Sequence, residues 1–334
     1  MKIIVTGGAG FLGSHLCDKL IENGHQVICI DNLITGSKEN IKHLKNNPNF
    51  KFINHDVIQP ISIDKIATPA PESVRDRNDG REIDQIYHLA SPASPNKNNP
   101  KSYISHPFET MQVNTVGTWK LCEMAVKLGA KFLFASTSEV YGDPKEHPQK
   151  ESYRGNVSTT GPRSVYDESK RFGETITSAF VRSKGLNGRI ARIFNTYGPG
   201  MADDGRVVIE FVKAALKGKP FPVFGDGKQT RSFCYVSDMV DGIVAAMEKG
   251  DSGAIYNLGN PQEFTVLELA EKIKDLTKSS EGIESVQPLP EDDPEQRCPD
   301  ITLARQKLGW ESKVELEEGL KKLINYMKSS DSAL

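Results

Sequence analysis

The alternation of short apolar runs with longer helical patterns constrains this chain more than any other feature. KIIVT (2–6) precedes the helical FLGSHLCDKLIENG, and QVICID (26–31) follows it. KFINHD, DQIYHLA, a helical stretch over roughly 108 to 128, and KFLFAS continue the series. Near-continuous apolar strands suit burial on both faces, and the intervening helices supply the crossovers. The pattern predicts βαβ units and an α/β fold on a parallel sheet. ISIDKIATPAPESVRDRNDGREI, residues 61–83, is charged and carries prolines, so it reads as a surface insertion. After about residue 195 the alternation weakens into loops such as NTYGPGMADDGR and VFGDGKQTRSF, where a substrate lobe is expected.

Size and charge narrow the function classes. A chain of 334 residues can bury a large core, and 42 basic against 44 acidic residues leave a formal net charge of -2 without long blocks of one sign. Neither a nucleic-acid surface nor an anionic-membrane surface is expected. No apolar run approaches the roughly 18 residues that span a bilayer, and the chain opens on a strand without a signal peptide, so a soluble, cytoplasmic protein is expected. The five cysteines are odd in number and lack a C-x-x-C pair, which fits a reducing compartment. The seven histidines show no metal-ligand spacing, and no metal is expected.

TGGAGFLG (6–13) places Gly7, Gly10 and Gly13 between the first strand and the first helix. Glycines let backbone turn tightly against a pyrophosphate, whose charge then meets the amides and dipole of the helix start. Asp31 ends the second strand eighteen residues after Gly13. A carboxylate there accepts from ribose hydroxyls and repels a 2′-phosphate, which predicts NAD rather than NADP. Asp56, after the third strand, suits the adenine amino group or caps a helix. The expected cofactor contacts are Gly7, Gly10, Phe11, Leu12, Gly13, Asp31, Asn32, Thr35, Gly36, Asp56, Val57, Leu89, Ser91, Tyr166 and Lys170.

In YDESK, Tyr166 and Lys170 are four residues apart at the start of a helical segment. That spacing stacks both on one face, where the ammonium is expected to lower the phenol pKa so that Tyr166 can take a hydroxyl proton.

TGGAGFLG, Asp31, STSEVYG, YDESK and RIFNTYGP, in this order, resemble the extended short-chain dehydrogenase/reductase family. HLASPASP, STSEVYGDP, GDGKQTRSFCYVSD and DDPEQRCPDI resemble its UDP-glucuronate decarboxylase (UDP-xylose synthase) branch, over residues 1 to about 328 except the 61–83 insertion. The resemblance implies a Rossmann-like doubly wound parallel sheet with a smaller carboxy-terminal lobe for a UDP-sugar, tightly held NAD, and a homodimer paired through helices. The expected division is 1–194 for NAD, with returning segments near 232–260, then 195–328 mainly for the UDP-sugar, and a disordered tail at 329–334.

The implied reaction turns UDP-glucuronate into UDP-xylose and CO2 through a 4-keto sugar, without net redox change. Tyr166 would be the base and Thr137 its hydrogen-bonding partner. Relatives that expel water resemble S-T-D-E-V-Y-G, whereas this chain has Ser138 before Glu139. A carboxylate β to a ketone needs no acid for a leaving hydroxyl. Glu139 is then expected near the substrate carboxylate, acting through like-charge crowding or an ordered water. The resemblance also implies Arg297 for the carboxylate or adjacent phosphate, Arg231 and Asn195 for the diphosphate, Arg206 for nucleotide or loop contacts, and Ser91 and Pro92 beside nicotinamide and sugar. A UDP-sugar 4-epimerase, a UDP-apiose/UDP-xylose synthase and a non-catalytic NAD-responsive binding protein are the alternatives.

Overall fold

The computed structural model describes residues 1–61, 82–287 and 296–331. Most of the 61–83 insertion, part of the DDPEQRCPD stretch and the last three residues of the expected tail lie outside the described residues. The predicted alternation becomes a seven-stranded parallel sheet in the order β11-β6-β5-β4-β1-β2-β3. Its strands are β1 (Lys2–Thr6), β2 (Gln26–Asp31), β3 (Phe50–Asn54), β4 (Gln85–His88), β5 (Lys131–Thr137), β6 (Gly188–Ile193) and β11 (Ile255–Leu258). The fold is Rossmann-like. Side chains alternate across each strand, so Ile3 and Val5 pack beneath the helices Phe11–Glu22 and Val236–Lys249, while Ile4 packs with Phe132, Phe134 and Ile176 on the other face. Burial on both faces is why the strand sequences run apolar without alternation.

The helix expected over 108–128 is interrupted. Pro107–Gln112 and Thr118–Leu128 are α-helical, but Val113–Gly117 between them is a π-turn that buries Asn114 against Ser169 of the helix Ser164–Lys184, at 3.0 Å. After residue 195 the chain is less loop-rich than its sequence suggests. It forms β7 (Thr196–Tyr197) with β10 (Cys234–Tyr235), β8 (Phe221–Phe224) with β13 (Ile283–Gln287), and a three-stranded sheet β12-β9-β14. In that sheet β9 (Thr230–Ser232) runs antiparallel to β12 (Glu263–Thr265) and parallel to β14 (Gln296–Arg297).

A buried ion pair ties the sheet to the helix behind the cavity. Arg192 on β6 donates to both oxygens of Glu174 at 2.9 and 2.7 Å, and to the Tyr141 hydroxyl at 2.9 Å. Ser136 of β5 donates to Glu174 at 2.6 Å, and Tyr141 donates to Asn257 of β11 at 2.8 Å. Removing one partner strands the other charge away from water. Arg192→Met is therefore expected to lower unfolding stability by about 3–5 kcal/mol, and Arg192→Met/Glu174→Met to recover part of that loss. A single-variant denaturation curve within about 1 kcal/mol of wild type would remove the network from the account of this fold.

Candidate functional site

The strand order reverses between β1 and β4, where the chains leaving the two strands diverge. There a cavity of about 950 Å³ opens across the carboxyl ends of the strands. Gly7 sits in the left-handed region with φ 75°, and a side-chain carbon added to it would lie 2.6 Å from the Ala90 amide nitrogen. A carbon added at Gly13 would run into the Gly7 carbonyl, so these glycines let the loop press against the β4 turn and the helix start. The Asp31 carboxylate, raised in pKa by burial despite two backbone donors, accepts from Ala9 at 3.0 Å and Leu33 at 2.8 Å. It therefore ties the end of β2 to the glycine loop. Asn32 donates to Asp56 at 3.0 Å, and Asp56 also accepts from the Ile58 amide, so among the described residues it closes a turn rather than capping a helix as the alternative expected. Of the expected cofactor contacts, all but Gly36 line the cavity. Gly36 instead lies behind Asp31, and any added side chain would crowd that carboxylate.

Thr137 ends β5 and caps the short 3-10 turn Ser138–Tyr141, accepting from the Glu139 amide at 3.2 Å. Across the cavity, Tyr166 is buried on the helix Ser164–Lys184, its ring stacked on Tyr103 at 4.9 Å and 6°. Lys170, one turn on, donates to the Ala135 carbonyl at 2.8 Å and lies 5.8 Å from the Tyr166 ring centre. Burial drops the Lys170 pKa to about 7 against the pull of Glu174. The expected lowering of the phenol is not found. Burial raises the Tyr166 pKa and Glu139 raises it further, while a hydrogen bond with Thr137 only partly offsets them.

Glu139 is clamped between two guanidiniums. Arg163 Nη2 donates to one oxygen at 2.5 Å, and Arg297 Nη1 donates to the other while its Nη2 holds the Gly142 carbonyl at 3.1 Å. Burial alone would raise the Glu139 pKa, but Arg163, then Arg297 and Arg231, outweigh it and hold the carboxyl down at about 2. The like-charge crowding expected of Glu139 is thus offset by its own partners. Ser138, Ser91, Pro92, Asn195, Arg206 and Arg231 line the same cavity. Arg206 is paired with Asp204, at 2.9 Å from Nε and 2.8 Å from Nη2. Arg231 Nη1 donates to the Thr230 carbonyl at 2.8 Å.

Sequence reasoning missed Arg163 and Tyr103. Arg163 stands three residues before Tyr166, a spacing that shares a helix face and could have been read. Tyr103 lies in an aperiodic loop that carried no signal. The cavity's donors and acceptors fit a dinucleotide beside a second polar ligand. The glycine cradle and Asp31 face one end, while at the other the Tyr103 hydroxyl and Arg297 Nε are buried with no hydrogen-bond partner among the described residues.

Residues 3–259 match the model of the NAD dependent epimerase/dehydratase family. The chain belongs to this family. Among its epimerase/dehydratase relatives, UDP-glucuronic acid decarboxylase 1 of Arabidopsis thaliana is 52% identical over 326 residues, covering 97% of this chain and 69% of the relative. UDP-glucuronic acid decarboxylase 1 of Danio rerio is 48% identical, covering 97% and 72%. A UDP-glucuronic acid 4-epimerase from Bacillus cereus, crystallised with UDP-glucuronic acid and NAD, superposes with a TM-score of 0.84 at 30% identity, over 99% of this chain and 100% of that one.

The depressed Glu139 pKa has a defined sign. Its ion pairs contribute stability that is fully present above the unfolded value near 4.5 and is lost as pH falls toward about 2. The stability difference between wild type and Glu139→Gln, measured by denaturant titration, is expected to shrink steadily from about pH 5 to about pH 3. A pH-independent difference would show that the carboxylate is not held by the arginines.

Proposed function

We propose that the protein converts UDP-glucuronate to UDP-xylose and CO2 as a redox-neutral, NAD-dependent decarboxylase. Two things support this reading together: identity near one half to UDP-glucuronic acid decarboxylases, and the Glu139, Arg163 and Arg297 cluster set against Tyr166 and Thr137. Bound NAD would supply a reversible hydride acceptor for sugar carbon 4. Gly7, Gly10 and Gly13 would hold its pyrophosphate, and Asp31 its ribose. Residues 1–194, with β11 returning to the sheet, would form the NAD side, and residues 195–328 mainly the UDP-sugar side.

Tyr166 would act from its phenolate form, steadied by the Lys170 ammonium, take the 4-hydroxyl proton with the assistance of Thr137, and become the neutral phenol. Tyr166 and Thr137 then donate to the 4-keto oxygen as the bond from carbon 5 to the carboxylate breaks, its electron pair passing into the enolate while CO2 departs. Arg163, Arg231 and Arg297 all act on the carboxylate of Glu139, and the planar guanidinium fork suits the carboxylate and phosphates of an anionic sugar nucleotide. Arg297 and Arg231 would meet the substrate carboxylate and diphosphate. Glu139, ionised and oriented by its arginines, suits an ordered water that delivers the proton to carbon 5. Ser138 supplies no acid for dehydration.

With UDP-glucuronate and catalytic NAD, mass analysis is expected to find a sugar nucleotide lighter by one CO2 and carrying no keto group. Tyr166→Phe should form no reduced cofactor, whereas Glu139→Ala should still form it and lose decarboxylation. Unchanged substrate mass would favour the 4-epimerase alternative, and a ring-contracted product the apiose-forming one.

A homodimer is part of this proposal. Phe108, Trp119 and Phe172 are 70%, 50% and 54% exposed on the helices Pro107–Gln112, Thr118–Leu128 and Ser164–Lys184, which pack side by side. Such an apolar face suits a second copy of the chain. Light scattering should find a dimer that Trp119→Glu/Phe172→Glu converts to monomer; a monomeric wild type would overturn this. Among the described residues no helix is long and apolar enough to cross a membrane, and all five cysteines are free and buried. A cytoplasmic location is our inference from that chemistry.

A further inference from the structure

Three potential metal-binding side chains from distant parts of the sequence meet at the edge of the small sheet, outside the cavity. His147 lies in the loop beyond the Glu139 turn, Glu263 opens β12, and Cys298 directly follows β14. Their donor atoms all lie within 4.8 Å of one another, with His147 Nε2 2.7 Å from Glu263 Oε2. Two of the three positions are braced. The other Glu263 oxygen accepts from Thr230 Oγ1 at 2.7 Å, the kind of outer hydrogen bond that orients a ligating carboxylate. The Cys298 backbone is locked to Gln149, which donates its amide to the Cys298 carbonyl at 2.9 Å and accepts the Cys298 amide on Oε1 at 2.9 Å.

We propose that His147, Glu263 and Cys298 bind one divalent ion of the zinc class. Imidazole, carboxylate and thiolate together form a nitrogen, oxygen and sulfur set that zinc accepts, whereas magnesium and calcium take oxygen ligands. Around tetrahedral zinc such donors stand about 3.3–3.8 Å apart, which falls inside the 4.8 Å spacing found here, although the Cys298 thiol would exchange its hydrogen bond to the Pro261 carbonyl for the ion. His147 is at the surface, leaving the fourth position to water. The ion would pin the loop after the Glu139 turn to β12 and to the end of β14. Between β12 and β14 runs β9, so the staple brackets the strands that carry Arg231 and Arg297. It would act as a brace for the substrate lobe and touches none of the reacting groups. The competing reading is a surface His147–Glu263 ion pair beside an inert thiol.

Cobalt(II) distinguishes them, because a cobalt–thiolate bond gives a near-ultraviolet charge-transfer band that an ion pair cannot. Full-length protein stripped with chelator and titrated with cobalt(II) is expected to develop the band to saturation at one equivalent, and zinc should displace it. Cys298→Ser should lose the band. His147→Gln should weaken cobalt binding about tenfold or more while keeping the far-ultraviolet circular dichroism of wild type. No band with wild type, a band that survives Cys298→Ser, or unchanged affinity in His147→Gln would each overturn the proposal. The measurement uses no substrate, so its failure leaves the decarboxylase reading untouched, and failure of that reading leaves the metal site standing.

Discussion

The close approach of the β1 and β4 turns is the constraint on which the rest of the site depends. β1 continues toward β2 on one side and β4 toward β5 on the other, so their carboxyl ends part and leave a cleft. The turns can meet at the floor of that cleft only because Gly7 has no side chain to strike Ala90. Thr6 and His88, paired in register, close the floor beneath with a 2.8 Å hydrogen bond, and burial lowers the His88 pKa to about 3, so the imidazole stays neutral. β5, the next strand out, then delivers Thr137 and Glu139 to the rim, and the helix carrying Tyr166 and Lys170 lies across them.

Burial acts on Glu139, Lys170 and Tyr166 in the same sense, against the charged form, yet the three end in different states because their partners differ. Glu139 has two guanidiniums within hydrogen-bonding distance and stays ionised. Lys170 has a backbone carbonyl as its partner, and Glu174, the carboxylate that acts on it, is engaged by Arg192, so burial lowers its pKa to about 7. Tyr166 has the Thr137 hydroxyl as a hydrogen-bond partner but is buried with the Glu139 and Asp167 carboxylates nearby, so its pKa rises. Lys170 lies one turn along the helix from Tyr166, but its ammonium is drawn to the Ala135 carbonyl on β5 and stands 5.8 Å from the ring centre.

Much of the fold was legible because strand burial on two faces and the glycine turn write themselves locally. Asp31, Tyr166, Lys170 and the Thr137–Glu139 run were legible for the same reason: each sits at a fixed offset from the end of a strand or the start of a helix. The π-turn at Val113–Gly117 was not, since five residues of altered winding leave the apolar period almost unchanged. The small sheet was missed because β9, β12 and β14 are two or three residues long, too short to show any period. Histidine spacing gave no hint of the His147, Glu263 and Cys298 cluster, whose members are more than 30 residues apart in every pairing.

By itself the sequence determined the element types, the parallel sheet, the dinucleotide turn and the residues of the Tyr166 helix, because these depend on contacts between near neighbours in the chain. Only the tertiary structure decided which charges face one another. Arg297 reaches Glu139 across 158 positions of sequence, and Arg163 meets the same carboxylate from the start of the helix. Charge balance in a buried site is a sum over groups brought together by packing, and no local pattern in the chain encodes that sum.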